Sequence, residues 1–210
     1  MSDTVQTEVI PANDPQAIPQ ALATLRAGGV VAFPTDTVYG VGALVHDAQA
    51  VSRLYKIKGR QAGKAIPVLI GSRQALETVA VHPSERALAL AERFWPGALT
   101  LVLPRHPSLP EALSPLPTVG VRVPDHPVAL ALLDAAGPLA VTSANRSGQP
   151  ETNTAQDVLE QLGGSIELLL DGGRTPGGQP STVVALQEGQ AVVLRPGPIT
   201  LEQVEAALGE

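Results

Sequence analysis

Cysteine is absent from the 210 residues. That excludes disulfide staples, thiolate nucleophiles and thiolate metal ligands, and it is compatible with a reducing compartment. Aromatic residues make up only 2% of the chain, so the core has to be aliphatic and few rings are available to stack on bases. A basic balance is missing too. The net charge of −6 argues against general adhesion to nucleic acid or to anionic membrane. No window approaches the ~18 uninterrupted apolar residues that a membrane helix needs. The first eleven residues lack the basic start and apolar run of a signal peptide. The expectation is a soluble, cytoplasmic protein without membrane contact.

What is abundant is Ala, Leu, Val, and the two punctuating residues, 20 Gly and 20 Pro. These imply short elements joined by tight loops, and their sum stays under the roughly one quarter that signals low complexity. The chain is organised around residues 28–42, Gly-Gly-Val-Val-Ala-Phe-Pro-Thr-Asp-Thr-Val-Tyr-Gly-Val-Gly. Val30 to Phe33 reads as a buried strand stopped by Pro34, which cannot donate to a sheet ladder. It empties into the hydroxyl-rich loop Thr35-Asp36-Thr37, and Gly40 and Gly42 then let backbone approach something closely. A strand delivering polar side chains into a Gly-spaced loop is a common way to build a ligand site. Neither the Walker phosphate loop nor the dinucleotide glycine fingerprint is present.

Elsewhere, helices are expected over 14–27, 45–57, 72–80, 84–94, 127–136, 155–162 and 201–208, from apolar spacing and from caps such as Ser84 and Thr154. Short apolar runs between them read as strands, roughly seven in a mixed sheet, which makes the fold α/β. The helix ending near Ile57 runs into Lys56, Lys58, Arg60 and Lys64, four cations within nine residues. A helix dipole favours such charges as a solvated cap, but their number points to phosphate or carboxylate binding. Arg122 stands among small residues on the alternate face of a Val119-Val121-Val123 strand. Buried there, it should meet an internal carboxylate or a ligand anion, with the ligand favoured. The strand at 139–142 empties into a second polar loop, Ser143-Ala144-Asn145-Arg146-Ser147-Gly148. Trp95, before a Pro-Gly turn, is expected over a core edge, and His126 in a turn. No two of the four His stand at ligand spacing, so no dedicated metal cage is expected.

Taken together, the run at 28–40, Lys58-Gly59-Arg60, Phe94-Trp95-Pro96-Gly97, Leu99-Thr100-Leu101, Val119-Gly120-Val121-Arg122, Thr142-Ser143-Ala144-Asn145, Ser181-Thr182-Val183 and Arg195-Pro196-Gly197 resemble the YrdC family of L-threonylcarbamoyl-AMP synthases. The resemblance implies a single YrdC-like domain over 8–200, with 1–7 and 201–210 peripheral. Its fold would be a twisted mixed parallel/antiparallel sheet with flanking helices around a large concave cavity. It also implies the short form, without an extra C-terminal domain.

The implied activity joins L-threonine, bicarbonate and ATP into threonylcarbamoyl-AMP and pyrophosphate, with Mg²⁺ accompanying ATP. The product would feed a tRNA-modifying threonylcarbamoyl transferase complex. By the same resemblance Lys58 and Arg60 are catalytic, and Thr35, Lys64, Arg122, Thr142 and Ser181 surround threonine. Lys56, Lys58, Arg60, Thr118, Ser143, Asn145, Asn153 and Arg195 fall to ATP. Gln61 and Ala65 stand where the family often has Pro, which leaves the path of 61–65 open. The alternative is a non-catalytic nucleotide- or double-stranded-RNA-binding module. Acidic charge and scarce aromatics weigh against it, while a weak RNA contact stays open. A related carbamoyl-transfer role inside larger maturation proteins would need acylphosphatase and zinc-finger segments that residues 1–210 lack.

Overall fold

The computed structural model describes residues 5–59 and 64–209. Its strands are β1 (Glu8–Pro11), β2 (Val31–Phe33), β3 (Gly40–Leu44), β4 (Val68–Leu69), β5 (Leu99–Pro104), β6 (Thr118–Arg122), β7 (Leu139–Ser143), β8 (Leu168–Asp171), β9 (Thr182–Gln187) and β10 (Gln190–Arg195). The α-helices are α1 (Ala17–Arg26), α2 (Ala48–Lys58), α3 (Glu85–Phe94), α4 (Pro127–Ala136), α5 (Ala155–Leu162) and α6 (Leu201–Leu208). All ten strands join one sheet, in the order β1-β8-β2-β3-β7-β4-β6-β5-β9-β10. Four neighbouring pairs are parallel and five antiparallel, so the sheet is mixed, as expected.

Ten strands rather than about seven is a correction, and β3 shows its cause. Its Gly40 and Gly42 conceal a strand that has no apolar run. A Cβ on Gly40 would lie 2.8 Å from Val141 Cγ1, and one on Gly42 3.0 Å from Val141 Cγ2. The close approach signalled by these glycines is therefore that of the neighbouring strand β7, paired antiparallel with β3. The expected helix at 72–80 is also tighter than expected, a 3-10 helix over Arg73–Thr78.

The strands alternate, and the two faces of the sheet have different fates. Leu99, Leu101 and Leu103 of β5, Val119 and Val121 of β6 and Val184 of β9 join one apolar cluster, with Leu54 of α2, Leu90 of α3, Val158 of α5 and Val204 of α6. On the second face α1 and α4 press Leu25, Leu132 and Leu133 onto Val31, Phe33, Leu139, Val141, Leu168 and Leu170. The second cluster takes only Leu69 from β4 and nothing from β5, β6 or β9. The second-face positions of those strands, Thr100 and Val102, Thr118, Gly120 and Arg122, and Val183, line an open hollow instead. Period-two alternation thus writes a core on one side and a cavity floor on the other. Trp95 is 5% exposed in the first cluster and donates its indole N–H to Leu99 O at 2.7 Å, a packing role as expected.

Thr154 and Asp157 form a capping box at the start of α5. The backbone N–H groups of Asn153 and Thr154 donate to Asp157 and hold its carboxyl below the usual range. A depressed carboxylate pKa adds stability above its unfolded value, near 3.8, and that stability is lost as pH falls through the folded value. We expect Asp157→Asn to be less stable than the parent at pH 7 and the gap to close in chemical unfolding below pH 4; a gap independent of pH would contradict this. Thr154→Ala should cost about 1 kcal/mol.

Candidate functional site

The hollow is a cavity of about 460 Å³. Thr35 and Thr37 come from the turn after β2, Lys58 from the end of α2, Lys64 from the segment before β4, and Thr118 and Arg122 from β6. Thr142 and Ser143 end β7, Asn145 follows it, Ser181 precedes β9, and Arg195 ends β10. Ten of the thirteen residues named from sequence therefore share one wall-to-wall site: Thr35, Lys58, Lys64, Thr118, Arg122, Thr142, Ser143, Asn145, Ser181 and Arg195. Lys56 and Asn153 are not among the lining residues. Lys56 is exposed in the last turn of α2, and Asn153 Oδ1 bonds Thr175 Oγ1 at 3.2 Å. Arg60 lies outside the described residues, as do Gln61, Ala62 and Gly63.

Arg122 is held from three sides. Its Nε donates to Gly97 O at 2.9 Å, Nη1 donates to Thr37 Oγ1 at 3.0 Å, and Nη2 pairs with Asp36 Oδ1. Side-chain exposure is 6% for Arg122 and 14% for Asp36, so the guanidinium is buried and the carboxylate largely so. Burial pushes the Arg122 pKa down and Asp36 pushes it back up; a guanidinium stays charged in proteins even so. The internal carboxylate foreseen as one option for Arg122 is thus present. The guanidinium still reaches the cavity wall, where its remaining N–H capacity can meet an anion.

Lys58 is 5% exposed, so its ammonium is buried rather than a solvated cap on α2. It donates to Asn145 O at 2.7 Å, to Asn145 Oδ1 at 2.9 Å and to Ser143 O. The cation therefore ties the helix end to the loop after β7, which Ser147 N completes by donating to Lys58 O at 2.9 Å. Gly59, in left-handed backbone at φ 59°, lets the chain leave α2 at that point. Ser181 shares a hydrogen bond with Thr100 at 2.8 Å and accepts from Arg195 Nη2 at 2.8 Å through its carbonyl. Thr35 Oγ1 donates to Val38 O at 2.6 Å and shapes the turn that carries Asp36 and Thr37.

The Gly-rich stretch after β8 packs on the same turn. Gly178 N donates to Thr37 O at 2.9 Å, and a Cβ on Gly177 would lie 2.8 Å from Asp36 O, Thr37 Cα and Thr37 O. Thr37, Thr100, Ser147 and Glu151 also line the cavity and were not singled out from sequence as ligand contacts. Thr37 could have been read from its loop and Thr100 from the alternation of β5. Glu151 carries no local signal. Among the described residues no group of three or more His, Cys, Asp or Glu converges to hold a metal. The arrangement can neutralise and orient a polyanion, read hydroxyls, and exclude water from part of it.

Asp36 is predicted to be the keystone of this wall, since it accepts from Arg122 and from Asp125 N at 3.0 Å. Breaking a buried pair by removing one partner costs about 3–5 kcal/mol. Asp36→Asn should lower stability by that order in urea unfolding, while an unchanged midpoint would show that the pair carries no net stability.

Comparison with known proteins places these features. The family model described as Telomere recombination (Sua5_yciO_yrdC) matches residues 23–197. The chain is 47% identical over 209 residues to the threonylcarbamoyl-AMP synthase of Bacillus subtilis, covering 97% of this chain and 59% of that protein. It is 40% identical to the putative threonylcarbamoyl-AMP synthase of Mycobacterium tuberculosis, covering 97% and 96%. The structure of Pyrococcus abyssi Sua5 complexed with L-threonine superposes with TM-score 0.90 at 43% identity, covering 98% of this chain and 60% of that one. E. coli YciO gives TM-score 0.84 at 29% identity, covering 95% and 99%. The chain spans 59% and 56% of the Bacillus and Pyrococcus relatives it matches. A family match over most of the chain and relatives at this identity lead to one conclusion: the chain belongs to the Sua5/YciO/YrdC family.

Proposed function

We propose that this chain forms L-threonylcarbamoyl-AMP and pyrophosphate from L-threonine, bicarbonate and ATP. The observation that carries this reading is the cavity itself, with Arg122, Arg195, Lys64 and Lys58 at its walls and hydroxyls between them. The names of its relatives and the threonine-bound Pyrococcus structure support it.

In this reading threonine's amino nitrogen adds to the carbon of bicarbonate with loss of water, giving an N-carboxylate. One oxygen of that carboxylate attacks the α-phosphorus, the bond to the bridging oxygen breaks, and pyrophosphate leaves with its electron pair. Such a displacement asks the protein chiefly for positioning and for charge stabilisation. Arg122, fixed by Asp36, Thr37 and Gly97, would take the threonine carboxylate, with Thr35, Thr142, Ser181 and Lys64 around the rest of the amino acid. Thr118, Ser143, Asn145 and Arg195 would face the nucleotide. Lys58 would act on it largely by holding the 143–145 loop, and Arg60, by family resemblance, would join it on the phosphates. No general base is required once the carbamate exists. Magnesium carried by ATP would neutralise the charge on the departing pyrophosphate. Among the described residues no carboxylate cage converges, so the ion would be held through the phosphates and its own waters rather than in an all-protein site.

The product would pass to a threonylcarbamoyl transferase complex acting on tRNA, in the cytoplasm. No helix among the described residues is long and apolar enough to cross a membrane.

The test is pyrophosphate release and adenylate detection by mass, with purified protein, ATP, Mg²⁺, bicarbonate and threonine. Release should need both threonine and bicarbonate. Arg195 is exposed, so Arg195→Ala should fold and yet slow turnover by about 100-fold, the typical loss on removing one charge-stabilising donor. ATP binding without threonine-dependent pyrophosphate would shift the reading to a nucleotide- or RNA-binding module.

A further inference from the structure

Among the described lining residues of a cavity otherwise built from cations, hydroxyls, an amide and apolar groups, one carries a carboxylate, Glu151. Its Oε2 is buried and has no hydrogen-bond partner. No hydrogen bond or ion pair to Glu151 exists among the described residues, although the loop that Lys58 holds lies close by in the fold. Thr152, its neighbour, is anchored by Tyr39 N donating to Thr152 O at 2.9 Å, and Ala144 N donates to Tyr39 O at 2.8 Å. These two bonds bring the 151–152 segment to the end of β7, beside Ser143 and Asn145.

An occluded carboxylate oxygen without a donor is costly, because its lost hydration is not replaced. At this end of the cavity it would also repel any phosphate brought to the Lys58 loop. Both costs vanish if a cation stands between the carboxylate and the phosphates. Magnesium is characteristically bound in that way, through one or two carboxylates plus substrate phosphates, keeping several waters, rather than in an all-protein cage. The absence of a three-ligand cluster among the described residues fits that mode.

The geometry points to Glu151 as the protein's own ligand, direct or through a bound water, for the magnesium carried by ATP. This rests on the reading of the cavity as an ATP site. Glu151 then serves two ends. It selects the metal-complexed nucleotide over free ATP, and it disfavours other polyanions that would enter without a cation.

Equilibrium titration by calorimetry tests this without turnover, using ATP with Mg²⁺ and ATP in EDTA against the parent and Glu151→Gln. Thermal melts check that the isosteric variant is folded. The parent should bind Mg·ATP more tightly than metal-free ATP, and Glu151→Gln should lose roughly 10- to 100-fold in the metal-dependent part. Metal-free ATP should bind the variant at least as well as the parent, since a repelling charge is gone. Bound Mn²⁺ observed by electron paramagnetic resonance in the ternary complex should change its signal in the variant. Equal weakening with and without metal, or a change in threonine affinity alone, would overturn the assignment and make Glu151 a reader of the nucleoside or of the amino acid. No change in any titration would overturn it too. A parent that binds Mg·ATP through Glu151 but releases no threonine-dependent pyrophosphate would leave Glu151 standing and defeat the synthase reading. A parent that binds no ATP would defeat both.

Discussion

The buried ion pair between Arg122 and Asp36 is the interaction on which the site depends. One residue lies at the end of a central strand and the other in the turn after β2, 86 positions apart in sequence. Their pairing closes the turn over the open half of the sheet and seats Thr37 and Thr35 at the cavity wall. Burying a guanidinium without such partners would be prohibitive. With them, it becomes a fixed positive centre in a surrounding of low polarisability, where its pull on an anion is greater than in water. The rest of the wall follows from the turn: Gly178 bonds Thr37, and the Gly177 backbone lies against Asp36 with no room for a side chain.

The second constraint is the unequal covering of the sheet. Four helices pack one face and two helices pack half of the other. A sheet face left bare must be either a surface or a site. Here the bare half is built from Thr, Gly, Arg and Ser between Val and Pro, so water and polar ligands can wet it while the opposite face remains dry. Gly120 keeps the floor low, since a Cβ there would lie 3.0 Å from Thr100 Cγ2. Much of this cavity is preorganised: Arg122, Lys58 and Arg195 are held by backbone carbonyls and, for Arg122, a carboxylate before any ligand arrives, and little reorganisation is left for the moment of reaction.

Much of this was legible in the chain. The alternation in 118–123 announced which side of β6 would be dry, because a strand's side chains switch faces at every residue. The caps at Ser84 and near Thr154 marked helix starts, since such hydroxyls satisfy backbone donors that the helix leaves open; that Asp157 completes a capping box only the structure shows. The strand β3 was hidden because glycine at its second-face positions removes the apolar signal, and only the packing of Val141 shows what the space is for. Lys58 was legible as a functional cation, but a helix-end lysine gives no sign that it will bend back onto Ser143 and Asn145. Lys56, two residues earlier, shares its chemistry and points elsewhere, because positions two apart on a helix do not share a face.

By itself the sequence determined the fold class, the aliphatic character of the core, the polar loops at strand ends and the family. These rest on local periodicity and on short motifs that survive without knowledge of distant partners. Only the tertiary structure decided that Arg122 meets Asp36, that Lys58 closes a loop, that Asn153 turns toward Thr175 rather than the cavity, and that Glu151 Oε2 is buried there without a partner among the described residues. Each of these is a contact or a vacancy between segments far apart in the chain, and no local pattern encodes the direction in which a long side chain will find its partner.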